Sequence, residues 1–488
     1  MKRFFYFKIF PAIPKESRSF VRRKLNVPIN SNYHETMRYT VVGAGKSGIG
    51  AATLAQELGH TVFLTEAKTI EQAKESASFL QERSIDTEFG GHTDKALLAD
   101  CIITSPGVPP SSPLFIEAEQ RGIPIISEVE FAWQHIDPMK NPVVAITGTN
   151  GKTTTTALTA HIFNNSGKKA IACGNIGKAI STVVKDLAPN TILVVEASSY
   201  QLDRTFTFRP DVAMILNITP DHLSYHGTFE QYCAAKYKIS RNQNEKNVLI
   251  LNADNEPSFA ATRLQTRAQI LPFSLHPLQQ GVFATDSSIR FAGIGTAPSS
   301  QHKEEHLMTI DELRIPGIHN VYNSMAAALA ARAFEVRNEN IRDSLMSFRG
   351  VEHRLEYVRL LHNVEFINDS KATNINSTWY ALSSFKKPLV WIAGGRGDNN
   401  DYAQLDDLVR KNVRAVVAIG EEKDAIFNHF SVITRCIKAA EMDDAVRIAA
   451  EQASEGDVVL FSPACKSFDM FANYEHRGDV FKESVHAL

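Results

Sequence analysis

The sequence has few cysteines, no long hydrophobic run and almost no net charge. Its five cysteines lie far apart and form no Cys-x-x-Cys pair, which argues against a zinc motif or a disulfide framework and is typical of a protein from a reducing cytoplasm. No segment approaches the roughly 20 consecutive apolar residues of a membrane-spanning helix. The formal net charge of −2 argues against a large nucleic-acid-binding surface, which needs clustered lysine and arginine.

The composition is that of an ordinary globular protein. Of 488 residues, 43% are hydrophobic and 22% are charged, which excludes a wholly disordered, collagen-like or small disulfide-stabilised chain. At about 100–200 residues per domain, this length predicts about three domains.

The first residues differ from the rest in charge. Residues 1–36 contain eight lysines and arginines and two acids, so this tail carries +6 and the remainder −8. Met37 stands directly before the first predicted strand, and we interpret residues 1–36 as an over-extended start with Met37 as the initiator. A genuine disordered tail and a targeting segment are the alternatives, although Lys8 interrupts the apolar stretch that targeting requires.

Apolar strands alternate with amphipathic helices from residue 38 onward, a pattern that predicts parallel sheets. The predicted strands are 40–42, 61–64, 101–104 and 123–126 in a first unit, 143–147, 191–197, 212–218 and 248–252 in a second, and 365–368, 389–393, 415–419 and 458–461 in a third. Residues 265–315 predict a small β-rich insertion, and residues 324–334 and 442–452 predict helices.

The clearest chemical signal follows the predicted strand 143–147. Residues 148–154 read Gly-Thr-Asn-Gly-Lys-Thr-Thr and lead into a helix. Backbone N–H groups at a helix N-terminus bind phosphates, the lysine reaches the terminal phosphates, and a threonine hydroxyl holds Mg²⁺. The spacing departs from the usual phosphate loop because Ile146 takes the position of the outer glycine. A simple strand–helix turn is the alternative, and it leaves the lysine and the run of threonines unexplained.

A second glycine-rich loop, residues 43–48, follows the first predicted strand and precedes a helix over 49–58. Its sequence Gly-Ala-Gly-Lys-Ser-Gly is typical of a dinucleotide site, with Glu66 after the next strand placed to bind a ribose. The same loop suits another anionic nucleotide, which we favour, or serves only for tight packing of strand against helix.

Candidate metal-binding residues stand at the ends of two further strands. Glu196 lies at the end of strand 191–197, and Asp221 and His222 follow strand 212–218. Because ligands of a parallel sheet gather at the carboxyl ends of its strands, a carboxylate here can hold the Mg²⁺ of MgATP. A solvated glutamate and a structural histidine are the alternatives. Lys236 lies on the next predicted helix, and its position alone indicates nothing.

Together these segments resemble the Mur ligases, a family that builds the peptide stem of peptidoglycan. The resemblance covers roughly residues 38–485, and its segments come in family order. They are 148–154, 174–177, 196–202, 221–223, 319–323, 352–354, 368–374, 462–469 and 473–478. Segments 196–202, 368–374 and 462–464 are typical of the branch that adds D-glutamate.

The resemblance implies an α/β fold of three domains and an ATP-dependent ligase. A Rossmann-like domain for the UDP-sugar would span 37–138, a central P-loop ATPase domain with a mostly parallel sheet 139–349, and a Rossmann-like domain that closes over ATP and brings the amino acid 350–488. The enzyme would be a cytoplasmic monomer that uses ATP and two Mg²⁺ ions to join D-glutamate to UDP-N-acetylmuramoyl-L-alanine. The L-alanyl carboxylate would attack the γ-phosphate, and the amine of D-glutamate would attack the resulting acyl phosphate.

The resemblance also assigns roles to residues. ATP would contact Gly148, Thr149, Asn150, Gly151, Lys152, Thr153, Thr154, Asn320, Asn323, Arg354 and Asp369. The UDP group would contact Lys46, Ser47, Glu66 and Gly107, and D-glutamate would contact Lys371, Thr373, Ser467, Phe468 and Tyr474. Thr153 or Thr154 with Glu196 would hold one metal ion, and His222 with a carbamylated Lys236 would serve the second. Catalysis would depend on Lys152, Asn175, Glu196, His222 and Lys236.

Two positions depart from the family pattern. Ala67 stands where members often have a polar or basic residue near the uracil. Asp398 stands where members often have a lysine that helps bind the carboxylate of D-glutamate, and we expect Arg396 to supply the missing charge. Three competing hypotheses are an NAD(P) oxidoreductase, a non-catalytic nucleotide-regulated module, and a sibling ligase such as a folylpolyglutamate-forming or diaminopimelate/lysine-adding enzyme. The first leaves the loop 148–154 unexplained, and the second leaves the convergence of Lys152, Glu196 and His222 unexplained.

Overall fold

The computed structural model describes residues 36–263, 266–294, 304–315 and 317–488. The basic tail therefore lies outside the described residues, apart from Thr36. The described chain forms two compact units, of which the first runs to Thr309 and includes Asn323–Ser344, and the second comprises Ile310–Tyr322 and Leu345–Leu488. Among the described residues, no helix is long and apolar enough to cross a membrane.

The first unit begins with a five-stranded parallel sheet in the order β3-β2-β1-β4-β5. Its strands are β1 Arg38–Val42, β2 Thr61–Glu66, β3 Asp86–Phe89, β4 Cys101–Thr104 and β5 Ile125–Ser127. Its helices are α1 Lys46–Glu57, α2 Lys74–Glu82, α3 Pro113–Gln120 and α4 Glu128–Trp133. The central strands β1 and β4 are almost wholly buried because helices cover both faces of a parallel sheet.

A nine-stranded sheet follows in the same unit, in the order β14-β13-β12-β11-β10-β9-β6-β8-β7. Its strands are β6 Val143–Thr147, β7 Ala170–Gly174, β8 Ile192–Glu196, β9 Val212–Ile215, β10 Val248–Asn252, β11 Gln269–Ser274, β12 Gly281–Ala284, β13 Ser288–Ala292 and β14 Glu304–Thr309. Only β12, β13 and β14 pair antiparallel. The predicted β-rich character of 265–315 is confirmed, and these strands extend the sheet rather than standing apart from it.

Helices cover this sheet and connect its strands. They are α5 Lys152–Asn165, α6 Ile180–Val184, α7 Ser199–Asp203, α8 Leu223–His226, α9 Phe229–Tyr237, α10 Glu256–Phe259, α11 Ile318–Ala333 and α12 Asn338–Ser347. The predicted helix at 324–334 overlaps α11, which begins six residues earlier than predicted.

The second unit contains a six-stranded sheet in the order β15-β16-β20-β17-β18-β19, in which only β15 runs antiparallel to its neighbour. Its strands are β15 Glu356–Leu361, β16 Val364–Asn368, β17 Leu389–Gly394, β18 Val413–Ile419, β19 Arg435–Lys438 and β20 Val458–Phe461. Its helices are α13 Ile375–Ser383, α14 Asp406–Asn412, α15 Lys423–Phe430, α16 Met442–Gln452 and α17 Tyr474–Ala487. Each predicted domain span thus contains one sheet, while the domain boundaries themselves stay a prediction.

Candidate active site

A cavity of about 290 Å³ lies at the carboxyl ends of the central strands of the nine-stranded sheet. It is lined by Pro106, Gly107, Lys152, Asn175, Ser198, Ser199, Tyr200, His222, Tyr232 and Lys236. Five of these residues were predicted as site residues, although they lie far apart in the sequence. The order β9-β6-β8-β7 brings the loops after these strands to one edge of the sheet.

The loop between β6 and α5 has the geometry of a phosphate-binding loop. Gly151 caps the N-terminus of α5 at φ +85°, and a Cβ there would lie 2.4 Å from Oδ1 of Asn323. The side chain of Lys152 turns back along the loop and donates to the carbonyl oxygens of Gly148 and Thr149, both at 2.9 Å. Its ammonium therefore places a positive charge inside the loop. Phosphate oxygens can replace these carbonyl oxygens as its hydrogen-bond acceptors.

Tyr232 on α9 links this loop to the neighbouring elements. Its hydroxyl lies 3.0 Å from Oγ1 of Thr149, which also donates to the carbonyl of Thr219 after β9 and accepts from its N–H. The Tyr232 ring lies 4.6 Å from Nζ of Lys236. One buried tyrosine thus touches both the phosphate loop and the predicted metal-site lysine.

We expect Tyr232→Phe to raise the KM for ATP several-fold with a smaller change in kcat, because it removes the hydroxyl contact to Thr149 and keeps the ring beside Lys236. One lost hydrogen bond lowers the free energy of unfolding by about 1 kcal/mol. Tyr237→Phe is the matched control, since that hydroxyl on the same helix donates to Pro257 instead. Steady-state kinetics distinguish the two variants, and equal KM values for ATP would exclude a positioning role for Tyr232.

Lys236 is buried at the inner end of the cavity, with 1% of its surface exposed. Its Nζ donates to the carbonyl of Gly148 at 2.8 Å. Burial, and next the positive charge of Lys152, hold the pKa of Lys236 well below its usual range, while the carboxylate of Asp221 opposes the shift. Burial of an amine favours its neutral form, which is the nucleophilic one.

Glu196 ends β8 beside the cavity and is buried. Its Oε1 accepts from Nδ2 of Asn175 at 3.1 Å, whereas its Oε2 is buried without a hydrogen-bond partner among the described residues. Thr153 and Thr154 lie buried in the first turn of α5, and Oγ1 of Thr154 likewise lacks a hydrogen-bond partner there. Unsatisfied oxygens of a carboxylate and a hydroxyl near a phosphate loop are suitable ligands for Mg²⁺.

His222 enters the cavity from the loop after β9. It adopts a left-handed backbone conformation, φ +53°, at the start of α8, and its Nε2 lies 3.6 Å from Oδ2 of Asp221. An aromatic cluster supports it, consisting of Tyr200, Tyr225, His226 and Tyr232. Burial lowers the pKa of His226 to about 4, and its Nε2 lies 2.9 Å from Oγ of Ser199. His226 is therefore a neutral, structural histidine, in contrast to the half-exposed His222.

The glycine-rich loop 43–48 of the five-stranded sheet is stabilised by contacts with residues of the same sheet and its connections. Gly48 packs against the loop, where a Cβ would lie 1.9 Å from the carbonyl oxygen of Gly43. The carboxylate of Glu66 accepts from the N–H groups of Ala44 at 2.6 Å and Lys68 at 3.0 Å. Lys46 is exposed at the start of α1, beside the half-buried Ser47. Glu66 thus shapes the loop, and its contact with a nucleotide stays a prediction.

In the second unit, the predicted ATP residues Asp369 and Arg354 lie near the end of β16. Asp369 accepts from Ser462 Oγ at 2.9 Å and from the N–H of Leu355 at 3.2 Å. Burial raises the pKa of Asp369 to about 7, against the opposing charge of Arg354. Nε of Arg354 and Nδ1 of His319 are buried without a hydrogen-bond partner among the described residues. Asn320, next to His319 on α11, is also buried.

The predicted amino-acid residues occupy two loops and a helix start in the same unit. Lys371 and Thr373 follow β16, Ser467 and Phe468 follow β20, and Tyr474 begins α17. Nζ of Lys371 lies 5.3 Å from the Tyr474 ring centre. Ser467 is buried, whereas Phe468 is exposed.

Sequence reasoning missed the residues that hold these loops together. The buried Arg477 donates to the carbonyls of Ser370 at 2.6 Å and Cys465 at 3.0 Å, joining the loop after β16 to the loop after β20. Burial lowers its pKa to about 10. Tyr232 likewise joins α9 to the phosphate loop, through Thr149. Both residues lie in recognisable segments, but only their distant contacts reveal the role.

Comparison with known families gives three matches along the chain. Residues 38–114 match the MurD N-terminal domain, 146–331 the Mur ligase middle domain, and 353–465 the Mur ligase glutamate ligase domain. Together these matches cover more than half of the chain.

Curated relatives match over nearly the full chain. A UDP-N-acetylmuramoylalanine–D-glutamate ligase of Salinibacter ruber is 46% identical over 459 residues, covering 92% of this chain and 98% of the relative. The enzyme of the same name from Chloroherpeton thalassium is 43% identical over 462 residues, with coverages of 92% and 97%.

Solved structures share the fold at low sequence identity. The UDP-N-acetylmuramate–alanine ligase MurC of Thermotoga maritima is 19% identical with a TM-score of 0.58, covering 92% of this chain and 99% of that one. MurF of Acinetobacter baumannii is 20% identical with a TM-score of 0.55, with coverages of 79% and 91%.

Proposed function

Because the chain belongs to the Mur ligase family, we propose that it is the ATP-dependent ligase that adds D-glutamate to UDP-N-acetylmuramoyl-L-alanine in peptidoglycan synthesis. The observation that carries this conclusion is one cavity lined by the phosphate-loop lysine Lys152, the buried Lys236 and Asn175, which donates to the buried carboxylate of Glu196. The identity of 46% to a ligase of this name supports the choice of D-glutamate over the substrates of sibling ligases.

The chemistry begins with activation of a carboxylate, since a carboxylate is a poor electrophile. The L-alanyl carboxylate attacks the γ-phosphorus of ATP, ADP leaves, and an acyl phosphate forms. The amine of D-glutamate then attacks the acyl carbon, and phosphate leaves as the amide bond forms. Lys152 and the N–H groups of the loop 148–151 stabilise negative charge that develops on the phosphates, and the amide of Asn175 orients Glu196 beside them.

Mg²⁺ fits the residues at this site. Glu196 offers its unsatisfied Oε2, and Thr154 offers its unsatisfied hydroxyl beside Thr153. When bound, the ion screens the negative charges of phosphate and carboxylate so that these two anions can meet. We assign this ion to Glu196 with Thr153 or Thr154.

The second metal site depends on a modified Lys236. Among the described residues, no group of three or more His, Cys, Asp or Glu side chains forms a metal site. His222 and Lys236 line the same cavity, and the carbamate of Lys236 supplies an anionic metal ligand there. The neutral buried amine attacks the carbon of CO₂, an N–C bond forms as the electron pair of one C=O π bond moves to oxygen, and the nitrogen loses a proton to water, which leaves a carbamate anion. The depressed pKa of Lys236 supports this modification.

The substrates are assigned to the remaining predicted residues. Lys46, Ser47, Glu66 and Gly107 contact the UDP group, Asn320, Asn323, Arg354 and Asp369 contact the nucleotide of ATP, and Lys371, Thr373, Ser467, Phe468 and Tyr474 contact D-glutamate. The loops that carry them lie at the carboxyl ends of parallel strands, which supports this assignment. We place the enzyme in the cytoplasm as a monomer, a location supported by five cysteines that form no disulfide.

Phosphate release from ATP tests the proposal. With UDP-N-acetylmuramoyl-L-alanine present, we expect release to depend on D-glutamate and on Mg²⁺. No release with all substrates present would refute the ligase activity. Release with another amino acid but not with D-glutamate would indicate a sibling ligase.

A further inference from the structure

The six-stranded sheet contains a crevice that the assigned residues do not fully explain. Strand β20 lies between β16 and β17. After β16 and β17 the chain continues to helices on one face of the sheet, whereas after β20 it continues to a helix on the other face. Helices α13, α14 and α15 pack in one hydrophobic cluster, and α16 and α17 pack in the other. Ligands of doubly wound sheets bind at the carboxyl ends of strands where neighbours lead to opposite faces. The loops after β17 and β20 border such a crevice.

These two loops are joined by their backbones. Arg396 and Lys466 form an isolated antiparallel bridge, in which each N–H donates to the carbonyl of the other at 2.9 Å. Gly395 makes the approach possible, since a Cβ there would lie 2.3 Å from the carbonyl oxygen of Lys466. The side chains of Arg396, Asp398 and Lys466 therefore project from two loops whose backbones are held together by hydrogen bonds.

The two cations at this bridge, Arg396 and Lys466, have different ion-pair partners. Arg396 is held by two hydrogen bonds to Glu421, from Nε at 3.0 Å and from Nη2 at 2.7 Å. This bidentate pair holds the guanidinium toward Glu421, and the expected contact of Arg396 with the substrate stays a prediction. Lys466 instead donates to Oδ2 of Asp398 at 2.8 Å, and these two side chains are 45% and 69% exposed. Such exposed pairs contribute little to stability, so another carboxylate can exchange with Asp398.

We propose that Lys466 is the cation that binds a carboxylate of D-glutamate, with Asp398 holding its ammonium until the substrate replaces it. This inference rests on the proposed function. Lys466 directly precedes Ser467, which is assigned to the D-glutamate site, and D-glutamate brings two carboxylates that need cationic partners. At the position where family members often have a lysine, this chain has Asp398. The positive charge lies instead on Lys466, on the other side of the crevice.

Variants at the two positions test this exchange. We expect Lys466→Ala to raise the KM for D-glutamate at least about tenfold, as loss of a charge-assisted hydrogen bond predicts, and to leave the KM values for ATP and the UDP-sugar within about twofold. Lys466→Arg, which keeps the charge, retains most of the affinity. Asp398→Asn removes the competing carboxylate and lowers the KM for D-glutamate.

Lys387→Ala is the matched control. Lys387 lies before the start of β17, is 53% exposed and pairs with Glu365 at 2.6 Å, so its loss leaves the KM for D-glutamate unchanged. The proposal fails if Lys466→Ala leaves that KM within about twofold of the wild type, or if Asp398→Asn raises it as Lys466→Ala does. A wild-type enzyme that releases no phosphate in response to D-glutamate would refute the proposed function rather than the role of Lys466.

Discussion

Replacing Lys236 by alanine will lower ligase turnover by roughly a thousand-fold, and formate, acetate or propionate will restore part of the activity. A carboxylate ligand to a catalytic metal ion is worth several kcal/mol of transition-state stabilisation, and each 1.36 kcal/mol is about a factor of ten in rate. The truncated side chain leaves a space at the inner end of the cavity that a short carboxylate can enter. Phosphate-release kinetics with and without the added acids measure both effects.

The environment of Lys236 favours the proposed reaction of its amine with CO₂. Burial and the charge of Lys152 favour the neutral amine, which has the lone pair that the reaction needs. Once the carbamate has formed, the same Lys152 ammonium favours its negative charge. Removal of dissolved CO₂ will therefore lower wild-type activity over time, whereas the alanine variant with acetate will not respond.

Lys238→Ala is the matched control for this prediction. Lys238 also lies mostly buried near the end of α9, but its Nζ binds the carboxylate and the carbonyl of Asp203. Its loss lowers stability without creating a site for carboxylates. Unchanged activity of Lys236→Ala would remove Lys236 from the mechanism. Rescue by small alkylamines instead of carboxylates would mean that Lys236 acts as a cation.

The fold was predictable from the sequence wherever strands lie inside a sheet. Every predicted strand overlaps an observed one, and 101–104, 143–147, 248–252 and 458–461 match to the residue. Outside residues 265–315, which were predicted to be β-rich without individual strands, the strands that were missed are β3, β7, β15 and β19, and each lies at the edge of its sheet. Edge strands bury little, so they need not be apolar: β3 reads Asp-Thr-Glu-Phe and β19 reads Arg-Cys-Ile-Lys. Their hydrogen bonds, which the sequence pattern does not encode, make them strands.

The candidate site likewise contains residues that local sequence patterns predict and residues that they do not. Lys152 and Glu196 were predictable because a phosphate loop and a strand-end carboxylate are local patterns. Tyr232 and Lys466 were not, because their roles depend on contacts to Thr149 and Asp398, 83 and 68 residues away. Lys236 was singled out by resemblance alone, and only its burial supplies a physical reason.

Replacing Glu196 by glutamine will lower kcat by roughly a hundred-fold and raise the Mg²⁺ concentration needed for half-maximal activity. The amide keeps the size of the side chain and can still accept from Asn175, but it lacks the charge that attracts a hard cation. Loss of a metal ligand or of its orienting partner typically costs about 10–100-fold in metal affinity or activity. Titration of Mg²⁺ at saturating ATP measures both changes.

Glu128→Gln is the control for this substitution. Glu128 is equally buried in the same unit, and its Oε1 accepts from the N–H and the hydroxyl of Ser181, both at 2.7 Å. Its Oε2 is buried without a hydrogen-bond partner among the described residues, as in Glu196. Burial raises the pKa of Glu128, and the hydrogen bonds from Ser181 to Oε1 can also be accepted by an amide oxygen. We expect this variant to keep the Mg²⁺ dependence of the wild type.

The stability of the metal-free protein separates a metal ligand from a structural carboxylate. A buried carboxylate with one unsatisfied oxygen costs free energy unless a cation binds it. Glu196→Gln will therefore leave the melting temperature of the metal-free protein unchanged or higher, while the additional stabilisation by Mg²⁺ with a non-hydrolysable ATP analogue will shrink. A lower melting temperature without metal, with undiminished stabilisation by Mg²⁺, would mean that Glu196 supports the fold through Asn175 and that the ion binds elsewhere.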